Sequence, residues 1–274
     1  MTGEWSRSGR CRESHEGFPL VTVITIVLNR AASLEATIQS VMAQTYPHME
    51  YIVIDGGSTD GTLEIIKKYE QRIDSWISEP DRGIYDALNK GIAAAHGDLI
   101  ALLHSDDIFY ATTSIEKVVE AYDDDHHMIV SPVVTLRDGR QKLIPVDASP
   151  RLARTLPFSH TCCVVPSALF RRFGSYDPRY HVAGDADFIL RLLSRQVPYT
   201  LLDTPITIMS MEGLSNRRIM TERLEYAEIY RRIYHDFWGA WSGFMLTYPR
   251  KVLSGSRVLR RLYHGCRAIR AGIR

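Results

Sequence analysis

Two apolar runs, each stopped by acid, constrain this chain more than any other feature. Residues 51–54 read YIVI and run into Asp55-Gly56-Gly57-Ser58-Thr59-Asp60-Gly61. Residues 99–103 read LIALL and end in His104-Ser105-Asp106-Asp107, and EPDRGIYDALNKGI lies between them. Short β-rich apolar runs bounded by turn residues read as buried strands. In an open α/β sheet the ligand crevice lies outside the carboxyl ends of the strands. Two acidic clusters, each following such a strand, therefore imply a polar, metal-assisted ligand site.

The flanking pattern supports that sheet. Residues 20–28 (LVTVITIVL) form a continuous apolar run suited to a parallel strand buried on both faces. Ser33 is placed to cap the next helix, whose Leu34, Ile38, Val41 and Met42 recur at helical spacing. Helix is expected over 60–69 and 84–95, and strand over 75–78. The alternation predicts an α/β fold with a mostly parallel sheet and flanking helices. Beyond residue 125 the pattern changes. Residues 128–136 and 141–145 read as a hairpin about Arg137-Asp138-Gly139-Arg140. A strand over 161–165 and helices over 167–173 and 185–194 follow, the last burying Phe188, Ile189, Leu192 and Leu193.

A chain of 274 residues, 45% hydrophobic and 24% charged, suits one α/β core with additions. Its net charge of +1 hides an asymmetry: residues 250–274 hold eight Lys or Arg and no acid. The remainder is slightly acidic, which argues against nucleic acid as a partner. Four cysteines, two of them adjacent at 162 and 163, do not make a disulfide framework and read as reduced thiols of a cytosolic protein. Residues 1–18 are polar and read as a flexible leader without a signal sequence. No run of eighteen apolar residues occurs, so membrane contact would be peripheral.

Three clusters carry the chemistry. Asp55 can accept from a nucleobase N–H, with the glycines after it allowing close backbone approach; Asp60 reads as a helix-start residue. Asp106 and Asp107 repel each other unless hydrogen bonds, solvent or a cation intervene, and oxygen ligands suit Mg²⁺ or Mn²⁺ on a diphosphate. The third cluster, His181-Val182-Ala183-Gly184-Asp185-Ala186-Asp187, precedes an amphipathic helix. Asp185 there is either a helix cap or a general base for an attacking hydroxyl, and Asp187 reads as mainly structural.

Six stretches in order, VTVITIVLNR, YIVIDGGSTDGT, SEPDRGIYDALNKGI, LLHSDDIFY, SHTCCVVPSALFRRFGSYD and GDADFILRL, resemble a bacterial family 2 glycosyltransferase of GT-A fold. The likeness covers roughly residues 20–215 and is to the branch that builds surface polysaccharides and glycolipids. It implies inverting transfer from a nucleotide sugar, UDP by default, to a hydroxyl of a glycan or lipid-linked acceptor. On that implication Thr25 and Asn29 border the nucleotide, Asp55 contacts the base, and Asp81 and Asp86 line the donor side. Asp106 and Asp107 are the metal-and-diphosphate acids, and Asp185 is the base. His104 stands where the family often has an acid, and reads as metal ligand, diphosphate contact or satisfied strand-end histidine. His160 matches a family histidine near donor or acceptor, or is a buried histidine bonded to backbone. Gly184 stands where the family often has Glu.

The implied organisation is a leader over 1–18, a GT-A domain over 19–215 and a helical extension over 216–274. Gly213-Leu214-Ser215 with Arg217 and Arg218 reads either as a loop closing over diphosphate or as a helix start. Phe237, Trp241, Phe244, Met245 and Tyr248 precede the basic tail. That pattern reads either as an interfacial segment at the inner face of the cell membrane or as a helix packed on the domain. Two other functions compete: a nucleotidyltransferase, for which a basic glycine-rich loop is missing, and a nucleotide-sugar-binding protein without catalysis.

Overall fold

The computed structural model describes residues 5–7, 18–146, 158–211 and 219–234. Its strands are β1 (Ser6–Arg7), β2 (Val21–Val27), β3 (Met49–Asp55), β4 (Ser75–Ser78), β5 (Leu99–Leu102), β6 (Ile108–Phe109), β7 (Met128–Val130), β8 (Val133–Arg137), β9 (Arg140–Ile144), β10 (Cys163–Pro166), β11 (Tyr199–Leu201) and β12 (Thr207–Ser210). Its helices are α1 (Ala31–Met42), α2 (Thr62–Lys68), α3 (Ile84–Ala94), α4 (Ser114–Glu120), α5 (Ser167–Phe173), α6 (Gly184–Ser194) and α7 (Ile219–Tyr234).

The strands build a large sheet in the order β1-β4-β3-β2-β5-β10-β7-β11 and a small one in the order β6-β12-β8-β9. The central strands β4, β3, β2 and β5 are parallel, as the alternating pattern predicts. Alternate residues of each strand point to opposite faces. Ile24, Ile26, Ile52 and Ile54 pack with α3, α5 and α6, while Val21, Val23, Val27, Tyr51 and Val53 pack with α1, α2 and α4. Burial on both faces explains why β2 and β3 are uninterrupted apolar runs. Register places Val27, Asp55 and Ser78 side by side at one edge.

Local expectations are corrected in three places. Ser33 caps nothing: α1 starts at Ala31, where Asp60 Oδ2 accepts from the Ala31 amide at 3.1 Å and Thr62 Oγ1 from the Arg30 amide at 3.0 Å. Asp60 also accepts from the Thr62 amide and hydroxyl, so it serves both helix starts. The single strand expected over 128–136 is two, because Pro132 has no N–H for a central ladder; β7 joins the large sheet and β8 the small one. The hairpin itself forms as read, with positive φ at Asp138 (50°) and Gly139 (71°). The run 161–165 opens as a 3₁₀ turn at His160–Cys162 and extends only from Cys163.

Two described segments outside the expected catalytic domain pack on it. Ser6 and Arg7 of the expected leader pair with Trp76 and Ser75 as an edge strand. Helix α7, assigned to an extension by the sequence, buries Ile229 completely in the cluster that holds Phe188 and Ile189.

Candidate active site

At the edge formed by Val27, Asp55 and Ser78 the parallel register explains the first cluster. Asp55 is wholly buried, and its carboxylate accepts from the Ser58 hydroxyl, the Ser58 amide and the Ser78 hydroxyl. Asn29, at a positive φ of 52°, donates its amide to Ser58 Oγ at 2.7 Å and accepts from the Thr59 amide at 2.9 Å. The β2 and β3 loops are thus stapled together beneath the exposed Leu28. Gly56 is required here: a Cβ on it would stand 2.7 Å from Asp81 Oδ2 and 3.4 Å from Leu28 Cδ1. Asn29, Asp55, Gly56 and Asp81 therefore group together at this edge. Thr25 does not: it is fully buried on the α1 face, accepting from the Tyr51 hydroxyl at 3.2 Å.

Asp81 and Asp86 converge on Lys90, whose Nζ stands 2.8 Å from Asp81, 2.8 Å from Glu79 and 3.6 Å from Asp86. Asp86 also takes the Arg82 guanidinium at 2.9 Å and the Arg82 amide. Burial raises the Asp81 carboxyl above its usual range, with Lys90 opposing. Burial would raise Asp86 too, but Arg82 and Lys90 hold it below. Lys90 escaped the sequence reading, although its spacing of four residues from Asp86 is the signal of a helical ion pair.

At the end of β5 the cluster splits. Asp107 turns inward: Thr37 Oγ1 donates to its carbonyl at 2.8 Å, and its Oδ1 accepts from the Ser210 amide at 2.9 Å. Burial first and the Asp106 charge second push its carboxyl well above the usual range. Its Oδ2 is buried without a hydrogen-bond partner. Among the described residues no three His, Cys, Asp or Glu side chains converge to hold a metal ion unaided. Mg²⁺ and Mn²⁺ accept one or two carboxylates and take further oxygens from phosphates. Asp106 and the unpartnered Asp107 oxygen fit an ion of that kind carried with a diphosphate.

His104 is not part of that oxygen set. Its Nε2 lies 2.7 Å from Nε2 of His160, the rings meeting edge to face, and His160 Nδ1 lies 3.1 Å from Asp185 Oδ2. With His160 Nδ1–H donating to the carboxylate, its Nε2 accepts and His104 Nε2–H donates. Burial, reinforced by the His160 charge, pushes the His104 imidazole down to about 3. Three residues singled out separately in the sequence therefore form one line from the β5 end to the start of α6. Burial alone would raise the Asp185 carboxyl, but His160, the Ala186 amide and the Tyr85 hydroxyl hold it below the usual carboxylate range.

The support of Asp185 comes from residues the sequence did not disclose. A Cβ on Gly184 would stand 2.7 Å from Tyr85 Cε2, so the ring fills the space a side chain would need. The Tyr85 hydroxyl donates to the Val182 carbonyl at 2.6 Å and reaches Asp185 Oδ1 at 3.3 Å. From α7, Glu225 accepts from the amides of His181, Val182 and Ala183 at 2.8, 2.9 and 2.9 Å. Asp187 is structural as read: buried, it binds Arg191 at 2.9 Å and Arg232 of α7. Glu225 lies some forty residues downstream in a polar helix, and no local pattern marks it.

Asp185 also lines a cavity of about 770 Å³ between the β8–β9 hairpin and the turn at Ser159, with Val133, Phe158 and Met209 among its apolar walls. The loop at 213–215, Arg217, Arg218 and the aromatic and basic segment from 237 lie outside the described residues. No helix among the described residues is long and apolar enough to cross a membrane.

The sequence profile described as glycosyl transferase family 2 matches residues 22–176. An uncharacterised glycosyltransferase of Mycobacterium tuberculosis is 37% identical over 204 residues, covering 69% of this chain and 72% of the relative. A PGL/p-HBAD biosynthesis glycosyltransferase of Mycobacterium bovis is 29% identical, covering 76% and 83%. Among solved structures, S. aureus TarS 1-349 in complex with UDP-GlcNAc superposes with a TM-score of 0.66 at 19% identity, covering 78% of this chain and 65% of that one. A mannosyltransferase from Pyrobaculum calidifontis in complex with GDP-Man and Mn²⁺ gives 0.65 at 17% identity, covering 92% and 80%. Both likenesses are of fold: a mainly parallel sheet with flanking helices, of GT-A type. On the profile match and the mycobacterial relative, the chain belongs to glycosyl transferase family 2 and is a glycosyltransferase.

Proposed function

We propose that the chain moves a sugar, with inversion, from a nucleotide-sugar donor to a hydroxyl of a glycan or glycolipid acceptor in cell-envelope synthesis, with Asp185 as the base. The observation that carries this reading is the hydrogen-bonded line His104–His160–Asp185, which runs from the acidic end of β5 to a carboxylate lining an open cavity. Asn29, Asp55 and Asp81 hold the nucleotide side, and Asp86 with Lys90 borders the donor. Asp106, with the free oxygen of Asp107, holds Mg²⁺ or Mn²⁺ on the diphosphate, where a cation neutralises charge developing on the leaving group.

Asp185 is suited to take the proton of an attacking hydroxyl, because it is ionised over the whole neutral range and fixed at both oxygens. The acceptor oxygen forms its bond to the anomeric carbon as the bond to the diphosphate breaks, and the proton passes to Asp185. UDP is the first donor to test and GDP the second, given the ligands of the two solved neighbours. Titration of UDP and GDP with and without Mn²⁺ tests the donor half. Absence of binding by either nucleotide under both conditions contradicts it.

A further inference from the structure

The cavity beside Asp185 has a polarity that the transferase reading does not use. Cross-strand register puts Val133 opposite Ile144, Thr135 opposite Lys142 and Arg137 opposite Arg140, and all six line the cavity. Parallel pairing with β12 sets Met209 beside Thr135. The wall therefore grades from apolar at Val133 and Ile144, through Thr135 and Lys142, to a tip that carries Arg137 and Arg140 with one carboxylate, Asp138. Asp185 binds His160, whose chain neighbour Ser159 contacts Met209 Sδ at 3.6 Å, and Met209 is level with Thr135 and Lys142. The Arg137–Arg140 pair stands about 7 Å further along the strands than Thr135 and Met209.

Among the described residues these cations are lightly engaged. Among the described residues no ion pair engages Arg140 or Lys142. Arg137 meets Asp138 at 3.8 Å with both side chains largely exposed, an arrangement worth little in water. The hairpin spends three cationic side chains on a cavity wall that a neutral glycan would not need.

We infer that this cavity is the acceptor cleft and that its acceptor is an anionic glycan, bearing a phosphate or a carboxylate a short way along the chain from the reacting hydroxyl. The hydroxyl is directed to Asp185, the sugar ring packs on Phe158 and Met209, and the anion meets Arg137, Arg140 and Lys142. The inference rests on Asp185 being the base, and it adds the class of acceptor.

The test titrates the full chain, with UDP and Mn²⁺ present to fill the donor side, with three probes read by NMR: methyl glucoside, glucose 6-phosphate and methyl glucuronoside. The expected result is tighter binding of one or both charged probes than of the neutral one. The preference should fall about tenfold in the variant carrying Arg140→Glu and Lys142→Glu, and partly in Arg140→Gln with Lys142→Gln. The two charged probes separate phosphate from carboxylate. Equal behaviour of all three probes overturns the inference, as does a charge preference that survives both variants. UDP and GDP titrations of the same variants, unchanged from the parent chain, show that the fold and the donor side are intact. If neither nucleotide binds the parent chain, the donor reading fails, and a charge preference erased by the variants still upholds the cleft.

Discussion

The Nε2 atoms of His104 and His160 face each other at 2.7 Å, and the second ring carries the line on to Asp185. The contact makes His104 the far support of Asp185, the proposed base, some eighty residues later in the chain. It also occupies the His104 Nε2 atom, which leaves only Nδ1 of that ring open to any other partner.

With Asp185 as the proposed base, the His160 contact is expected to set the pH dependence of transfer. Asp185 is held below the usual carboxylate range, so its basic form is present above that lowered value and is lost as pH falls through it. His160→Ala leaves the effect of burial unopposed by the ring and raises the carboxyl. The acid limb of kcat should move to higher pH, with about a tenfold loss near neutrality from misorientation. An acid limb that stays in place contradicts the coupling.

Gly184 and Tyr85 form a steric pair. Gly184→Ala places a methyl 2.7 Å from a ring that is almost wholly buried. Overpacking of this kind costs about 1–3 kcal/mol, and urea denaturation should show it. The loss should shrink when Tyr85→Leu is combined with it; equal losses in the two backgrounds would show that the ring is not the obstacle.

Glu225 holds the loop before the base through three amides. Glu225→Gln removes the charge from those bonds and keeps the shape, at about 1–3 kcal/mol in stability. It should lower kcat while leaving nucleotide affinity unchanged. A variant with parental kcat would show that the loop holds itself.

The cation is expected to enter with the diphosphate. Asp106→Ala should abolish the Mn²⁺-dependent part of nucleotide binding and leave the metal-free part in place. Mn²⁺ alone should bind the parent chain weakly, because the described residues supply no complete ligand set. Tight binding of Mn²⁺ without nucleotide would contradict the shared site.

What the sequence disclosed follows from where each signal resides. The parallel strands were legible because β2 and β3 are buried on both faces and so read as unbroken apolar runs. Asp55, Asp106 and Asp185 stood out as candidates because each sits near an element end, beside glycine or a second acid. The reading placed Thr25 by motif position, but strand alternation turns it to the α1 face with Val23 and Val27. Met128 to Leu136 looked like one strand because Pro132 interrupts a run of otherwise strand-forming residues. The His104–His160 contact, Tyr85 against Gly184 and Glu225 beneath the base join residues separated by forty or more positions, a range over which no periodicity speaks.

The most direct test of the account is Asp185→Asn, assayed for sugar transfer and nucleotide binding on the same preparation. Asn keeps the shape and loses the charge, so nucleotide affinity should match the parent chain while transfer falls by roughly a hundredfold or more. Transfer at the parental rate, with the nucleotide still bound, would contradict the assignment of Asp185 as the base.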